Sequence, residues 1–213
     1  MNQGSFWRRP LSPRFYNATI ALIVVNVAFF VVTALAPRFV MTYLALTPIV
    51  VFRTGAFWQV LTYMFVHGGF WHIAFNMLAL LMFGSPLERR WGSPEFLLYY
   101  FVTGIGAGIA TLVVNWYAGL GAVAVIGASG AIFGVLLAFA TEFPDARVLL
   151  FWVLPVRAPV AVLVFSGIEL FFLVTGSRSG VAHLTHLAGL LFGYLYFVIR
   201  MGVNPFKVFF RRF

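Results

Sequence analysis

Gly127-Ala128-Ser129-Gly130-Ala131-Ile132-Phe133-Gly134-Val135-Leu136-Leu137-Ala138-Phe139-Ala140-Thr141 reads as a small-residue turn that opens an apolar, membrane-length segment with a hydroxyl at its start. A second apolar segment, about Val181 to Ile199, holds His186 five residues in, followed by Gly189 and Gly193. Lipid selects for neither hydroxyl nor imidazole, and an ionisable group in a span is costly enough to mark a functional site by default. A serine and a histidine at comparable depth in separate spans point to a nucleophile and its base inside the bilayer.

The composition supports the membrane setting. Of 213 residues, 62% are hydrophobic and 9% charged, against about 25% charged in soluble domains. The fold class expected is an all-α polytopic membrane protein, a bundle of six transmembrane helices forming one membrane domain over 1–213. Short basic tails flank it at about 1–16 and 200–213. Cysteine is absent, so disulfide and thiol chemistry are excluded. The net charge of +9 would suit nucleic acid, but no basic patch interleaved with aromatics lies away from the membrane ends. Nucleic-acid binding is therefore not expected.

The first span is Ala18 to Ala36, an uncharged run of 19 residues close to the ~20 needed to cross. Arg8, Arg9 and Arg14 precede it as in a leader peptide. The run is too long for a leader's apolar region, and Pro37 follows the candidate cleavage site, so it is read as retained. Residues 37 to 71 are rich in aromatics and broken by Pro37, Pro48 and Gly55; this stretch is read as a long loop lying at the membrane interface. The second span is about His72 to Leu87, ending at Glu88-Arg89-Arg90. The third is about Phe96 to Ala118. The fourth, about Ala128 to Thr141, follows a glycine-rich loop and stops at Glu142 and Pro144. Arg147 to Pro159 is apolar but punctuated by proline, another interfacial stretch. The fifth span is about Val160 to Thr175, the Gly176–Gly180 loop follows, and the sixth is Val181 to Ile199.

Charge sets the orientation. Arg8, Arg9, Arg14, Arg89, Arg90, Arg147, Arg157, Arg200, Lys207, Arg211 and Arg212 fall on one side, leaving Arg38, Arg53 and Arg178 on the other. By the positive-inside rule both termini are cytoplasmic, in a multi-pass protein of the cell (inner) membrane. The second, fourth and sixth spans then start on the outer side. His72 and Asn76 begin the second and Ser129 begins the fourth. His186 lies about 7–8 Å below the start of the sixth, at 1.5 Å per residue.

Each of these residues has a plain structural reading beside the functional one. A membrane serine usually bonds back to its own helix. Gly127 and Gly130 change that balance by clearing space around the hydroxyl, and a helix start offers free N–H groups. His186 alone could be a helix–helix hydrogen-bonder. Gly189 and Gly193 are spaced for close packing and match a small stripe at Gly130, Gly134 and Ala138; packing of the stripes carries Ser129 and His186 together. Phe133 shares the serine's helix face and is placed to stack on His186, or to face lipid or core. His72 and Asn76, at i and i+4, form either a polar cap or a pair of donors for a negative oxygen.

No carboxylate is expected near His186, because Asp145, Glu88, Glu95 and Glu142 are cytoplasmic and Glu169 lies near the middle of the fifth span. A dyad is therefore expected rather than a triad, and Glu169 is read as a buried structural hydrogen-bonder or part of an ion path. The four histidines, His67, His72, His183 and His186, raise a metal alternative, weakened by the lack of companion carboxylates. No metal or other cofactor is expected.

With His67-Gly68-Gly69-Phe70-Trp71-His72-Ile73-Ala74-Phe75-Asn76, Gly127-Ala128-Ser129-Gly130 and His186-Leu187-Ala188-Gly189-Leu190-Leu191-Phe192-Gly193 in that order, the chain resembles the rhomboid family of intramembrane serine proteases over roughly residues 17 to 200. The resemblance implies Ser129 as nucleophile and His186 as base. It implies an oxyanion site of His72, Asn76 and the Ser129 N–H, with Gly127 part of the motif. The family's His-x-x-Gly-x-x-x-Gly spacing selects His186 over His183. It further implies that the partners are single-pass or polytopic membrane proteins, cut near the outer membrane face and commonly after small residues, with lipid around the whole. Two departures stand out: Trp58-Gln59 replaces a frequent Trp-Arg pair, and Phe133 stands where tyrosine is frequent. No soluble domain is expected before the first span. Two rival functions remain: a non-catalytic escort of membrane helices on the same scaffold, and a histidine-rich metal or ion transporter.

Overall fold

The computed structural model describes residues 11–150, 153–176 and 183–210. Arg8, Arg9, Arg178, Arg211, Arg212 and most of the Gly176–Gly180 loop lie outside the described residues.

Among the described residues, five helical rods are long and apolar enough to cross a membrane. They are α1 (Ala18–Leu35), the rod Phe70–Trp91, α7 (Ser93–Tyr117), α9 (Ala158–Thr175), and the rod His183–Met201, whose α-helical part is α10 (His183–Tyr196). The fold is an all-α polytopic membrane bundle. Outward residues of α1 such as Val24 and Val31 are exposed, as are Leu170, Phe171 and Val174 of α9. A ring of aliphatic side chains around a packed centre is what a helix bundle presents to lipid.

The fourth apolar segment departs from expectation. It is α8 (Ser129–Glu142), only 14 residues, or about 21 Å at 1.5 Å per residue. That is short of the ~30 Å hydrocarbon core, so it is not membrane-length. Its position explains how a short helix is stable there: from Gly130 to Thr141 every residue except Phe133 is buried. The chain before it dips into the bundle, and Ser129 is carried inward with the helix start.

Several boundaries shift for one reason. Prolines read as breakers turn out to start helices, where a missing N–H costs nothing. Pro159 sits at the first turn of α9, which begins at Ala158; α7, whose expected start involved no proline, likewise has Pro94 in its first turn and begins at Ser93. Pro37 and Pro48 start α2 (Pro37–Tyr43) and α3 (Pro48–Thr54). The 37–71 stretch is therefore a chain of short helices rather than an open loop, completed by α4 (Gln59–Thr62) and a turn at Tyr63–Phe65. The second span likewise overruns its expected end. α5 (Phe70–Ala79) passes through a π turn at Leu80–Gly84 into α6 (Ser85–Trp91); the wider turn just precedes Pro86, whose ring cannot follow a regular α ladder.

Arg147 to Pro159, read as a proline-punctuated interfacial stretch, contains a hairpin. β1 (Arg147–Leu150) pairs antiparallel with β2 (Leu154–Arg157), Val148 opposite Val156. In a two-stranded ribbon both strands are edges, and an edge tolerates Pro155.

Gln59, at the position where the resemblance leads one to expect arginine, ties the segment down. It is fully buried; its Oε1 accepts from the Thr47 N–H at 3.0 Å and its Nε2 donates to the Thr42 carbonyl at 3.0 Å. Trp58 Nε1 donates to the Tyr43 carbonyl at 2.8 Å. The segment is then tied to the loop before α8 by the Leu46–Val125 bridge and by the Gly127 N–H bonded to the Tyr63 carbonyl at 2.9 Å. These bonds fix the backbone two residues before Ser129.

The opposite end of the bundle gathers buried carboxylates. Glu88 accepts from the Ala18 and Thr19 N–H groups at the start of α1 and from Ser93 Oγ. Glu95 accepts from the Leu11 N–H at 2.9 Å, from Tyr196 Oη, and from Arg200 through Nε and Nη2, each at 2.7 Å. Residues 11 and 200 thus meet at one carboxylate, so the two terminal segments share an end of the bundle.

Candidate active site

The site forms where α8 and α10 touch. Cβ atoms built on Gly189 and Gly193 would fall 1.9 Å from the Gly130 carbonyl oxygen and 3.4 Å from Gly134 Cα. At Gly189 only glycine permits that approach, and at Gly193 a Cβ would instead meet Tyr99 Oη at 2.5 Å; the contact draws together Ser129, next to Gly130, and His186, one turn before Gly189. His186 Nε2 lies 2.7 Å from Ser129 Oγ. Phe133 stacks on the imidazole, ring centroids 4.3 Å apart and planes 9° from parallel. The ring of His186 is thereby held against one face of α8, at its edge by Ser129 and on its flat by Phe133.

Helix 8's first turn faces the same space. The first intrahelical bond runs from the Ile132 N–H to the Ala128 carbonyl, so the N–H groups of Ser129, Gly130 and Ala131 precede the ladder. Gly127 has φ +115°, which disfavours any side chain, and a Cβ there would lie 2.7 Å from His72 Nε2. That places the His72 ring against the turn leading into Ser129. His72 Nδ1 accepts a long 3.4 Å contact from the Gly68 N–H. An accepting Nδ1 leaves the proton on Nε2, which then donates toward the serine turn. Asn76 is buried and gives one amide hydrogen to the His72 carbonyl, 2.7 Å away on its own helix; the second hydrogen of that amide is the one left for a ligand.

His67 backs this arrangement. It is fully buried, edge-on to His72 at a centroid distance of 5.0 Å. Burial, with His72 beside it, lowers its pKa to about 4, so it is a neutral packing partner at physiological pH. Among the described residues no group of three His, Asp, Glu or Cys side chains is arranged to hold a metal ion.

A cavity of about 630 Å³ opens on Ser129, within the size range of ligand pockets, roughly 300–1,000 Å³. His72, Asn76 and Ser129 are its polar residues; Trp71, Phe75, Met82, Ile132, Phe133 and Phe165 are among its apolar ones. It lies between the Phe70–Trp91 rod and α9, with Val148 and Leu149 of the hairpin also on its wall. The hairpin was not legible as a wall element, because a proline-punctuated interfacial stretch has no predictable face.

One expectation is overturned. A carboxylate does stand beside His186: Glu169 Oε1 is 3.0 Å from its Nδ1, while Oε2 accepts from His183 Nδ1 at 2.6 Å. The contact to His186 is close but off the line of an aligned hydrogen bond. Depth explains the oversight. Glu169 is six residues from the end of α9 at Thr175, about 9 Å at 1.5 Å per residue, which is level with His186. Mid-helix by count, it is site-level by depth.

The fold and this constellation define a polytopic α-helical membrane protein with a serine–histidine pair enclosed among its helices. Residues 54–202 match the model of the Rhomboid domain family. The chain is 34% identical over 187 residues to Rhomboid protein 1, mitochondrial, of Saccharomyces cerevisiae, covering 84% of this chain and 52% of that protein. It is 45% identical over 82 residues to Rhomboid protease GluP of Bacillus subtilis, 38% of this chain and 15% of the relative. It is 31% identical over 138 residues to RHOMBOID-like protein 1 of Arabidopsis thaliana, 65% and 33% respectively. The chain belongs to the rhomboid family. It spans about half the length of the yeast relative and less of the other two.

Proposed function

We propose that this protein is an intramembrane serine endopeptidase that cleaves transmembrane segments of other membrane proteins. The observation that carries the reading is the 2.7 Å contact between His186 Nε2 and Ser129 Oγ beside a largely apolar cavity. Ser129 Oγ attacks the scissile carbonyl carbon as His186 Nε2 takes its proton. The carbonyl oxygen, now negative, is met by the Ser129 N–H, His72 Nε2–H and the free Asn76 amide hydrogen. The intermediate collapses to an acyl-enzyme, and His186 returns the proton to the departing amine. Water entering by the cavity then repeats the sequence in reverse roles and frees Ser129. A helical substrate hides its carbonyls in i→i−4 bonds, so it must unwind locally; small or helix-breaking residues at the cut lower that cost. The relatives named as proteases support the reaction class.

Incubation with a panel of tagged single-pass membrane proteins, alongside a fluorophosphonate probe, tests the reading. Cleavage and probe labelling should both vanish in Ser129→Ala. A wild-type protein that neither cleaves any member nor takes the probe would be a binding scaffold instead. Within the same reading, His72→Ala and Asn76→Ala should each lower kcat by on the order of 10²–10³, the cost of one oxyanion donor, with unchanged thermal stability. A fully active, intact Asn76→Ala would reassign that amide to its bond with the His72 carbonyl.

The proposed orientation in the cell membrane puts both termini in the cytoplasm and the cut near the outer face. It rests on the 11 of 14 basic residues on one side and on the shared end of the terminal segments at Glu95. A cysteine introduced in the Gly176–Gly180 loop should react with an impermeant thiol reagent applied outside, against no native cysteine background. Reaction only after the membrane is opened would reverse the orientation and move the cut to the cytoplasmic side. The membrane bundle over 1–213 is proposed to act as one domain.

A further inference from the structure

Glu169 is buried at the depth of the site, and the reaction just described leaves it without a task. A carboxylate in a span is retained at a cost, and this one has an imidazole beside each oxygen. Oε2 takes the Nδ1–H of His183 at 2.6 Å, and Oε1 stands 3.0 Å from Nδ1 of His186. His183 is in turn stacked on Phe172 of α9, centroids 5.3 Å apart and planes 23° from parallel. The carboxylate is thus clamped from one side and presents its other oxygen to the imidazole that touches Ser129.

We propose that Glu169 is a positioning residue for His186, making the site a Ser129–His186–Glu169 chain braced by His183. The inference rests on the protease reading for its kinetic consequence, though not for its geometry. Two things follow from an acceptor at Nδ1. The neutral ring carries its proton on Nδ1, which leaves the Nε2 lone pair free to accept from Ser129 Oγ. When Nε2 gains the serine proton, the resulting imidazolium faces a negative charge instead of hydrocarbon. The present contact is off-axis, so the electrostatic part acts without further movement and the hydrogen bond forms with a small turn of the ring. His183 has the complementary duty of holding the carboxylate: its ring bonds Glu169, and Glu169 in turn faces His186.

Glu169→Gln keeps the size, removes the charge and turns one of the two acceptor oxygens into an NH2 donor, so only one of the two imidazoles keeps its acceptor. It should lower kcat roughly 10- to 100-fold, the scale of one charge-assisted hydrogen bond, with KM unchanged, and slow fluorophosphonate labelling of Ser129 to the same degree. A purely structural tie between α9 and α10 would leave kcat at the wild-type value. The second measurement is ¹⁵N NMR of histidine-labelled wild-type protein in detergent, with the His186 signal assigned by its loss in His186→Ala. The Nδ1–H tautomer is expected. A His186 ring found with its proton on Nε2, or a Glu169→Gln variant with wild-type kcat, overturns the proposal. Should the Gln variant not fold, the wild-type spectrum alone decides. A wild-type protein that cleaves nothing yet shows the Nδ1–H tautomer sinks the protease reading and leaves the positioning geometry standing.

Discussion

Ser129→Ala and His186→Ala should each abolish proteolysis, and the double variant should be scarcely worse than either. Groups that act as one unit lose their effect together, by roughly 10⁴–10⁶ in rate in soluble serine proteases. The geometry gives the reason for near-equality. Ser129 Oγ without His186 is an ordinary alcohol with no base in reach; His186 without the hydroxyl has nothing to deprotonate at 2.7 Å. His183→Ala separates this chain of contacts from mere histidine content. Its ring reaches Glu169 and not Ser129, so substantial activity should survive. The measurement is turnover of one cleavable substrate at equal folded protein concentration. An inactive His183→Ala beside an active His186→Ala would exchange the two assignments.

What the sequence revealed and what it concealed divide along physical lines. Apolar runs announce themselves because the bilayer excludes charge, so five spans were readable to within a few residues. The small stripes on α8 and α10 were readable because close helix packing demands them at fixed spacing. The misreadings came from residues with two physical meanings. Proline interrupts a helix from inside yet begins one from its first turn, and Pro37, Pro48 and Pro159 took the second role. The mostly apolar stretch of α8, 14 residues in all, looked like a span when the bundle was instead burying a short central helix. Glu169 was misjudged because its depth was counted along the helix rather than from the outer end. Gln59 illustrates the opposite case. Its replacement of arginine told nothing of the anchor, since buried amide and guanidinium can serve the same carbonyls, and Gln59 also accepts an N–H that arginine could not.

Gly189→Ala should be the most damaging single-methyl change in the bundle. Its Cβ would lie 1.9 Å from the Gly130 carbonyl oxygen and 2.8 Å from the carbonyl carbon. Both are backbone atoms of a buried helix, so no rotamer change relieves the clash and α8 must separate from α10. Overpacking of this kind costs about 1–3 kcal/mol and occasionally more, and the absence of a flexible neighbour puts this case at the upper end. Function should fall further than stability. Gly130 adjoins Ser129, and His186 is one turn from Gly189, so the separation acts directly on the 2.7 Å contact. A misplacement of about 1 Å costs on the order of 10² in rate. Gly167→Ala is the matched control. It lies within α9 with nothing within 4 Å of the added carbon, and a helix interior gains up to about 1 kcal/mol from alanine over glycine. Thermal melting in detergent and fluorophosphonate labelling of Ser129 should therefore move in opposite senses for stability and remain at wild-type labelling only in the control. A Gly189→Ala protein that melts and labels like wild type would mean that α8 and α10 do not meet at Gly130 and Gly189, and the route by which this sequence brings its serine to its histidine would have to be another.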